Sequence, residues 1–269
     1  MSSPSGEADL LPRTAGGPGG RDTSAAAPLL SVTGLRKMFG ALVAVNDISF
    51  DVLSGQVFGI AGPNGSGKST LFNILTGIPF GPDAGTIVFA GHSLAGWPAH
   101  RIARAGLVRS FQKDATFTTL SARETVRISS VYGRSASGAQ AAALSERLLD
   151  LVQFPAARRA EDSGALPIFD KKRLAIASAL ALRPRLLLLD EPASGLTKPE
   201  IEALATLIRA VCTEGITLMV IEHVLPLLLS VSETLLVMNH GSVIAHGVPS
   251  RVLRDPVVVE AYLGRREAA

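Results

Sequence analysis

The stretch Gly62-Pro-Asn-Gly-Ser-Gly-Lys68-Ser69-Thr70 constrains this chain more than any other. It fits G-x-x-x-x-G-K-[ST], the spacing of a phosphate-binding loop. Glycines let the backbone curl until several N–H groups point at one anion. Pro63, Asn64, Gly65, Ser66 and Gly67 make that curl between Gly62 and Lys68. Lys68 brings positive charge to the β- and γ-phosphates of a nucleotide, and the Ser69 hydroxyl can hold Mg²⁺. A helix opening here, through Thr70, adds its N-terminal dipole. The flanks agree: Gln56–Ala61 reads as a buried strand and Ser69–Leu75 as a helix.

The rest of the chain must serve such a site. Its 269 residues can bury one large core or two small ones. A net charge of +3 is too small to argue for nucleic acid. The single cysteine, Cys212, excludes an internal disulfide. Mean hydropathy of +0.32 is high, yet no apolar run reaches the roughly 18 residues of a membrane span. Leu174–Leu182 stops at Arg183, and Ile216–Val231 is interrupted by Glu222-His223. Residues 1–27, rich in Gly, Ala, Ser and Pro, lack an apolar signal core and are expected to be a disordered tail. One domain is expected over 28–264, with a short tail at 265–269.

Taken in order, Leu30–Lys37 and Val43–Leu53 read as strands. After the phosphate loop come a strand at Gly85–Ala90, a helix at Pro98–Ala105 and a strand at Leu107–Phe111 ending at Gln112. Ala122–Phe154 is helical in pattern, Arg158–Gly164 a polar linker and Arg173–Leu182 a helix. Leu186–Asp190 is fully apolar until its last residue, as in the interior of a parallel sheet. A helix at Lys198–Cys212, a strand at Thr217–Ile221, a hairpin around His240-Gly241 and two short helices complete the chain. Strand–helix alternation implies an α/β core. The segment from about 113 to 180 is expected to be a helical insertion.

Several polar residues end strands. Asp190 is placed to hold Mg²⁺, and Glu191 to orient or deprotonate an attacking water. His223 follows the Thr217–Ile221 strand and reaches the γ-phosphate if that strand neighbours the Asp190 strand. Gln112 could reach Mg²⁺ or the water. Phe39 could stack on adenine. The basic groups Arg101, Arg104 and Arg109, Arg158-Arg159 and Lys171–Arg173 read as solvated faces.

The order Phe39, Gly62–Thr70, Gln112, Leu186–Glu191, Ser194-Gly195-Leu196 and His223 resembles the ATPase subunit of ABC transporters. Phe39–Asn46, Val108–Gln112, Ile221-Glu222-His223 and Pro256–Gly264 resemble the branch serving branched-chain amino-acid, urea and related amide importers. The resemblance covers about residues 30–264. It implies a phosphate-loop NTPase core, an N-terminal antiparallel β-subdomain and an inserted helical subdomain. It also implies ATP and Mg²⁺ as cofactors. The expected partners are two membrane permease subunits, a second ATPase chain and, indirectly, a periplasmic-type solute-binding protein, with no nucleic acid. The expected place is the cytoplasmic face of the inner membrane. Two ATPase chains would sandwich two ATP molecules, each between one chain's phosphate loop and the other's signature motif.

The signature motif is where the sequence departs. Family members carry Leu-Ser-Gly-Gly-Gln, or Leu-Pro-Tyr-Gly-Gln in this branch; here Leu166-Pro-Ile-Phe-Asp170 stands in that position. Phe169 replaces a glycine that lets backbone N–H groups approach the partner's γ-phosphate. Asp170 puts a negative charge where phosphate should sit, partly offset by Lys171 and Lys172. Thr197 stands where the family has Asp or Asn, and Ser178 replaces a common arginine. The expectation is a heterodimer with one competent site. The alternative is a degenerate subunit that binds nucleotide with little turnover.

Overall fold

The computed structural model describes residues 27–110, 117–134 and 137–263. Its elements run β1 (Leu30–Phe39), β2 (Leu42–Val52), β3 (Val57–Ala61), α1 (Lys68–Thr76), β4 (Ala84–Phe89), β5 (His92–Ser93), α2 (Ala99–Ala105) and β6 (Leu107–Ser110). They continue with α3 (Ala122–Arg134), α4 (Gly138–Leu151), α5 (Ile168–Leu180), β7 (Leu186–Asp190), α6 (Lys198–Thr213) and β8 (Thr217–Ile221). The last are α7 (Leu225–Val231), β9 (Thr234–Asn239), β10 (Ser242–Gly247), α8 (Pro249–Val252) and α9 (Pro256–Leu263).

Two sheets form. An antiparallel four-stranded sheet has the order β2-β1-β4-β5, and a six-stranded sheet has the order β10-β9-β3-β8-β7-β6. In the larger sheet β9, β3, β8, β7 and β6 are parallel, and only β10 runs against its neighbour. Every residue of β3, β7 and β8 is buried. Alternation along each strand shares its side chains between two cores. Val57, Leu187, Leu189, Leu218 and Val220 join the helices on one face. Phe58, Ile60, Leu186, Leu188 and Met219 join α1 and the antiparallel sheet on the other. Strands buried on both faces need no polar alternation, which is why these runs are continuously apolar.

Helix α3 packs on α4 and α5, the helical portion that follows β6. The polar linker of the sequence reading is more structured than expected. It holds two short 3₁₀ turns, Ala156–Arg158 and Ser163–Ala165, and Ser163 is buried. Helix α5 starts at Ile168, five residues before the expected Arg173, so Phe169 and Asp170 lie in its first turn. The short helix α7 was not anticipated.

Candidate functional site

Parallel strands point their C-terminal ends at one edge of the sheet, and in open α/β sheets ligands collect there. Here the strand order sets β3, β8 and β7 side by side, with Ile60 opposite Ile221 and Ile221 opposite Asp190. The phosphate loop after β3, His223 after β8 and Asp190-Glu191 after β7 therefore share an edge. The condition set for His223 is met: its strand does neighbour the Asp190 strand.

The loop is tightly cradled. Gly67, at φ 100, caps α1 from the left-handed region, and a Cβ there would meet the Ala44 carbonyl oxygen at 2.3 Å. At Gly62 a Cβ would meet the Met238 carbonyl oxygen at 2.2 Å. Only glycine fits both places. The first turn of α1 carries no acidic residue and no side-chain cap, so its N–H groups stay available to an anion. The Lys68 ammonium donates to the carbonyl oxygens of Gly62 at 2.8 Å and Pro63 at 2.9 Å. Burial pulls its pKa below the ordinary lysine value, and the nearby Glu191 and Asp190 charges oppose that pull. Ser66 is buried, while Asn64, Gly65 and Ser69 are exposed and Pro63 and Thr70 half-buried.

A pocket of about 410 Å³ runs from this loop to Phe39, with Leu42, Ala44, Glu191 and His240 also on its wall. Phe39 is exposed and meets Phe80 edge-on at 5.0 Å, so it is not a core residue. Its ring lies at the mouth of the phosphate site.

Asp190 is 3 % exposed, and its Oδ1 is buried with no hydrogen-bond partner. Such an orphaned oxygen suits a cation. Its Oδ2 accepts from Arg109 Nη2 at 2.5 Å, and Arg109 Nη1 donates to Asn73 Oδ1 at 2.7 Å. Asn73 is four residues beyond Ser69, on the same face of α1. That face of the helix thus looks toward Asp190. Mg²⁺ keeps waters and substrate oxygens around it and needs few protein ligands, so one hydroxyl and one carboxylate are a fitting set. Reading Arg109 as part of a solvated face was an error. Its side chain keeps only 9 % of its exposure because it is drawn inward between Asp190 and Asn73 of α1.

Glu191 adopts φ 45, in the left-handed region unusual for a side chain, and its N–H donates to the Ile221 carbonyl at 2.9 Å. His223 is exposed, with Nδ1 3.8 Å from Glu222 Oε2. Gln112 lies outside the described residues. Sequence reasoning passed over Glu222, which is fully buried. Burial raises its pKa, while the Ala193, Val224 and His223 N–H groups and the His223 charge oppose the rise.

The signature-position segment is built differently. Pro167 precedes α5, and Asp170 sits in the first turn at 4 % exposure. Its carboxylate accepts from Arg158 at 2.5 Å and from Arg173 at 3.2 Å. The Arg173 guanidinium also lies 4.1 Å over the buried Phe169 ring. The charges that meet Asp170 are thus Arg158 and Arg173, where the sequence reading had credited Lys171 and Lys172 and treated both arginines as solvated. Thr197 precedes α6, and its N–H and hydroxyl both donate to Glu200 Oε2, at 2.8 and 2.7 Å.

The family model for ABC transporters matches residues 45–194, more than half of the chain. The chain belongs to the ABC transporter ATP-binding family. A second model, for the branched-chain amino acid ATP-binding cassette transporter, matches residues 242–268 of this ABC ATPase. It is 36 % identical over 261 residues to the high-affinity branched-chain amino acid transport ATP-binding protein BraF of Pseudomonas aeruginosa. That match covers 88 % of this chain and 98 % of the relative. It is 34 % identical over 251 residues to LivG of Escherichia coli K12, with the same coverage. Among solved structures, a nucleotide-free cassette from an ABC transporter shares the fold at TM-score 0.79 and 27 % identity. An ATP-binding cassette of an ABC transporter in its ADP conformation does so at 0.79 and 28 %, each pairing covering 89 % of this chain and 100 % of the other. The expected fold is borne out: this ABC ATPase joins a parallel phosphate-loop core to an antiparallel sheet. Among the described residues no helix is long and apolar enough to cross a membrane.

Proposed function

We propose that this chain is the ATP-hydrolysing subunit of an importer for branched-chain amino acids or related small solutes. The N–H groups of Gly62–Thr70 and the Lys68 ammonium would hold the phosphates, and Phe39 would stack on the adenine. Ser69 and Asp190, with Gln112, would hold Mg²⁺, which when bound neutralises charge between the β- and γ-phosphates. Glu191 would orient or deprotonate the attacking water, and His223 would donate to the γ-phosphate oxygens. The observation that carries this reading is the shared sheet edge, where Lys68 feels the charges of both Asp190 and Glu191. The solute class rests on the BraF and LivG relatives and on the C-terminal match.

The proposed assembly is peripheral, on the cytoplasmic face of the inner membrane. It contains two permease subunits and a solute-binding protein that delivers cargo to them. The domain would span 28–264, with its helical subdomain at about 113–180. The second ATPase chain is proposed to differ from this one. Asp170 is neutralised by its own arginines and Phe169 fills the core, so this signature segment offers a partner's γ-phosphate neither free N–H approach nor free charge. A homodimer would repeat that defect at both sites. The experiment compares ATP turnover of the purified chain alone and with its partner ATPase. Turnover is expected only in the mixture, and brisk turnover of the lone chain overturns the heterodimer. The same closed signature segment favours a second reading, a subunit that binds nucleotide without hydrolysing it. Loss of the mixture's turnover on Glu191→Gln excludes that reading.

A further inference from the structure

Glu222 sits between β8 and His223 with 0 % exposure. Among the described residues no Lys or Arg side chain pairs with it. Its charge is met by backbone N–H groups. Oε1 accepts from Ala193 at 2.6 Å, and Oε2 from His223 at 3.1 Å and Val224 at 3.4 Å. Its own N–H donates to the Ile60 carbonyl at 3.2 Å, on the strand that enters the phosphate loop. The side chain thus ties together the exits of β7 and β8, and the same residue's backbone holds them to β3. A spacer alone would be apolar, because burying a carboxylate is costly unless its oxygens are used.

We infer that Glu222 is a positioning residue that locks the loop carrying Glu191 to the loop carrying His223. Ala193 follows Glu191 by two residues, with the rigid Pro192 between them. Glu191 is held in a left-handed conformation that its own side chain disfavours, so something outside the loop must hold it. The loop's internal bonds, Ser194 N–H to the Glu191 carbonyl and Leu196 N–H to the Ala193 carbonyl, shape the turn without anchoring it to β8. The Glu191 N–H to Ile221 bond and the Glu222 bond to Ala193 supply that anchor on either side of Pro192. On the His223 side, Nδ1 lies 3.8 Å from the carboxylate, which leaves Nε2 as the ring nitrogen that can face a ligand. The inference rests on the proposed hydrolytic reading.

The test is Glu222→Gln in the assembled transporter. Gln keeps the volume but has one acceptor oxygen and sets an amide N–H₂ against backbone donors. It can hold Ala193 or His223, not both. The expected result is a kcat lowered about 10- to 100-fold with KM for ATP within about twofold, since a misplaced group costs rate rather than binding. In the purified chain without nucleotide, hydrogen exchange at the Ala193 amide or at those of His223 and Val224 should accelerate at least about tenfold. Should Glu222→Gln fail to fold, Glu222→Asp keeps the charge, withdraws it by one methylene and should give the same split. An unchanged kcat, an equal loss in ATP affinity, or unchanged exchange at all three amides overturns the role. A wild-type assembly that hydrolyses no ATP would sink the functional reading and this role with it. Turnover by wild type and variant alike sinks this role alone.

Discussion

Helices α1 and α5 both begin where the fold would present an anion-binding end, and they are finished in opposite ways. The first turn of α1 is left bare, and a glycine-lined cradle keeps its N–H groups open. The first turn of α5 carries its own carboxylate, and two arginines neutralise it from inside the chain. A helix N-terminus is thus a potential anion site whose use depends on what the chain already puts there. The same molecule can be fit to receive phosphate at one end and closed to it at the other.

The most damaging way to break this contrast is Lys68→Ala. Nucleotide affinity measured by calorimetry should fall on the order of 100-fold, because a charge-assisted contact and its phosphate positioning both go. Unchanged affinity would mean that α1 is not the anion end. Next is Glu191→Gln, expected to lower turnover of the ATPase pair about 10²- to 10³-fold while ATP binding persists. Phe169→Gly with Asp170→Gln sharpens the comparison from the other end. If the closed signature limits one site, steady-state turnover of the pair should rise about two- to tenfold, although removing the buried ring costs about 3 kcal/mol of stability in urea unfolding. No rise would place the limit elsewhere. The smallest effect concerns acid. Arg123, aided by Arg159, holds the Glu146 carboxyl below its usual 4.5, and Arg159 adjoins the Arg158 that meets Asp170. A depressed carboxylate contributes stability above pH 4.5 and loses it as pH falls through the lowered value. Between about pH 5 and 3 the urea midpoint of the wild type should therefore drop more than that of Glu146→Gln.

How much the sequence revealed followed from how local the signal is. The phosphate loop, the acid closing β7 and the His240-Gly241 hairpin, with φ 45 and 79, are written in adjacent residues and were legible. The start of α5 was not. Pro167 caps it without a side-chain bond, and the charged run Asp170–Arg173 reads as solvated until Arg158, twelve residues before Asp170, is seen to pair with the buried aspartate. Arg109 and Glu222 hid for the same reason. A lone charge at a strand end reads as solvated unless the partners, here Asp190 and Ala193, are known from the fold. Helix α7 was obscured because Pro226 and the leucines after it continue the apolar run of β8.

The ion pair between Arg109 and Asp190 has an electrical consequence. The acid of β7 is already balanced by an internal guanidinium. On the proposed reading, a lone divalent ion drifting toward it would meet reduced attraction, whereas one escorted by a triphosphate would be drawn in by the lysine and the curled amides next door. The seat would then select a metal–nucleotide pair over dissolved salt.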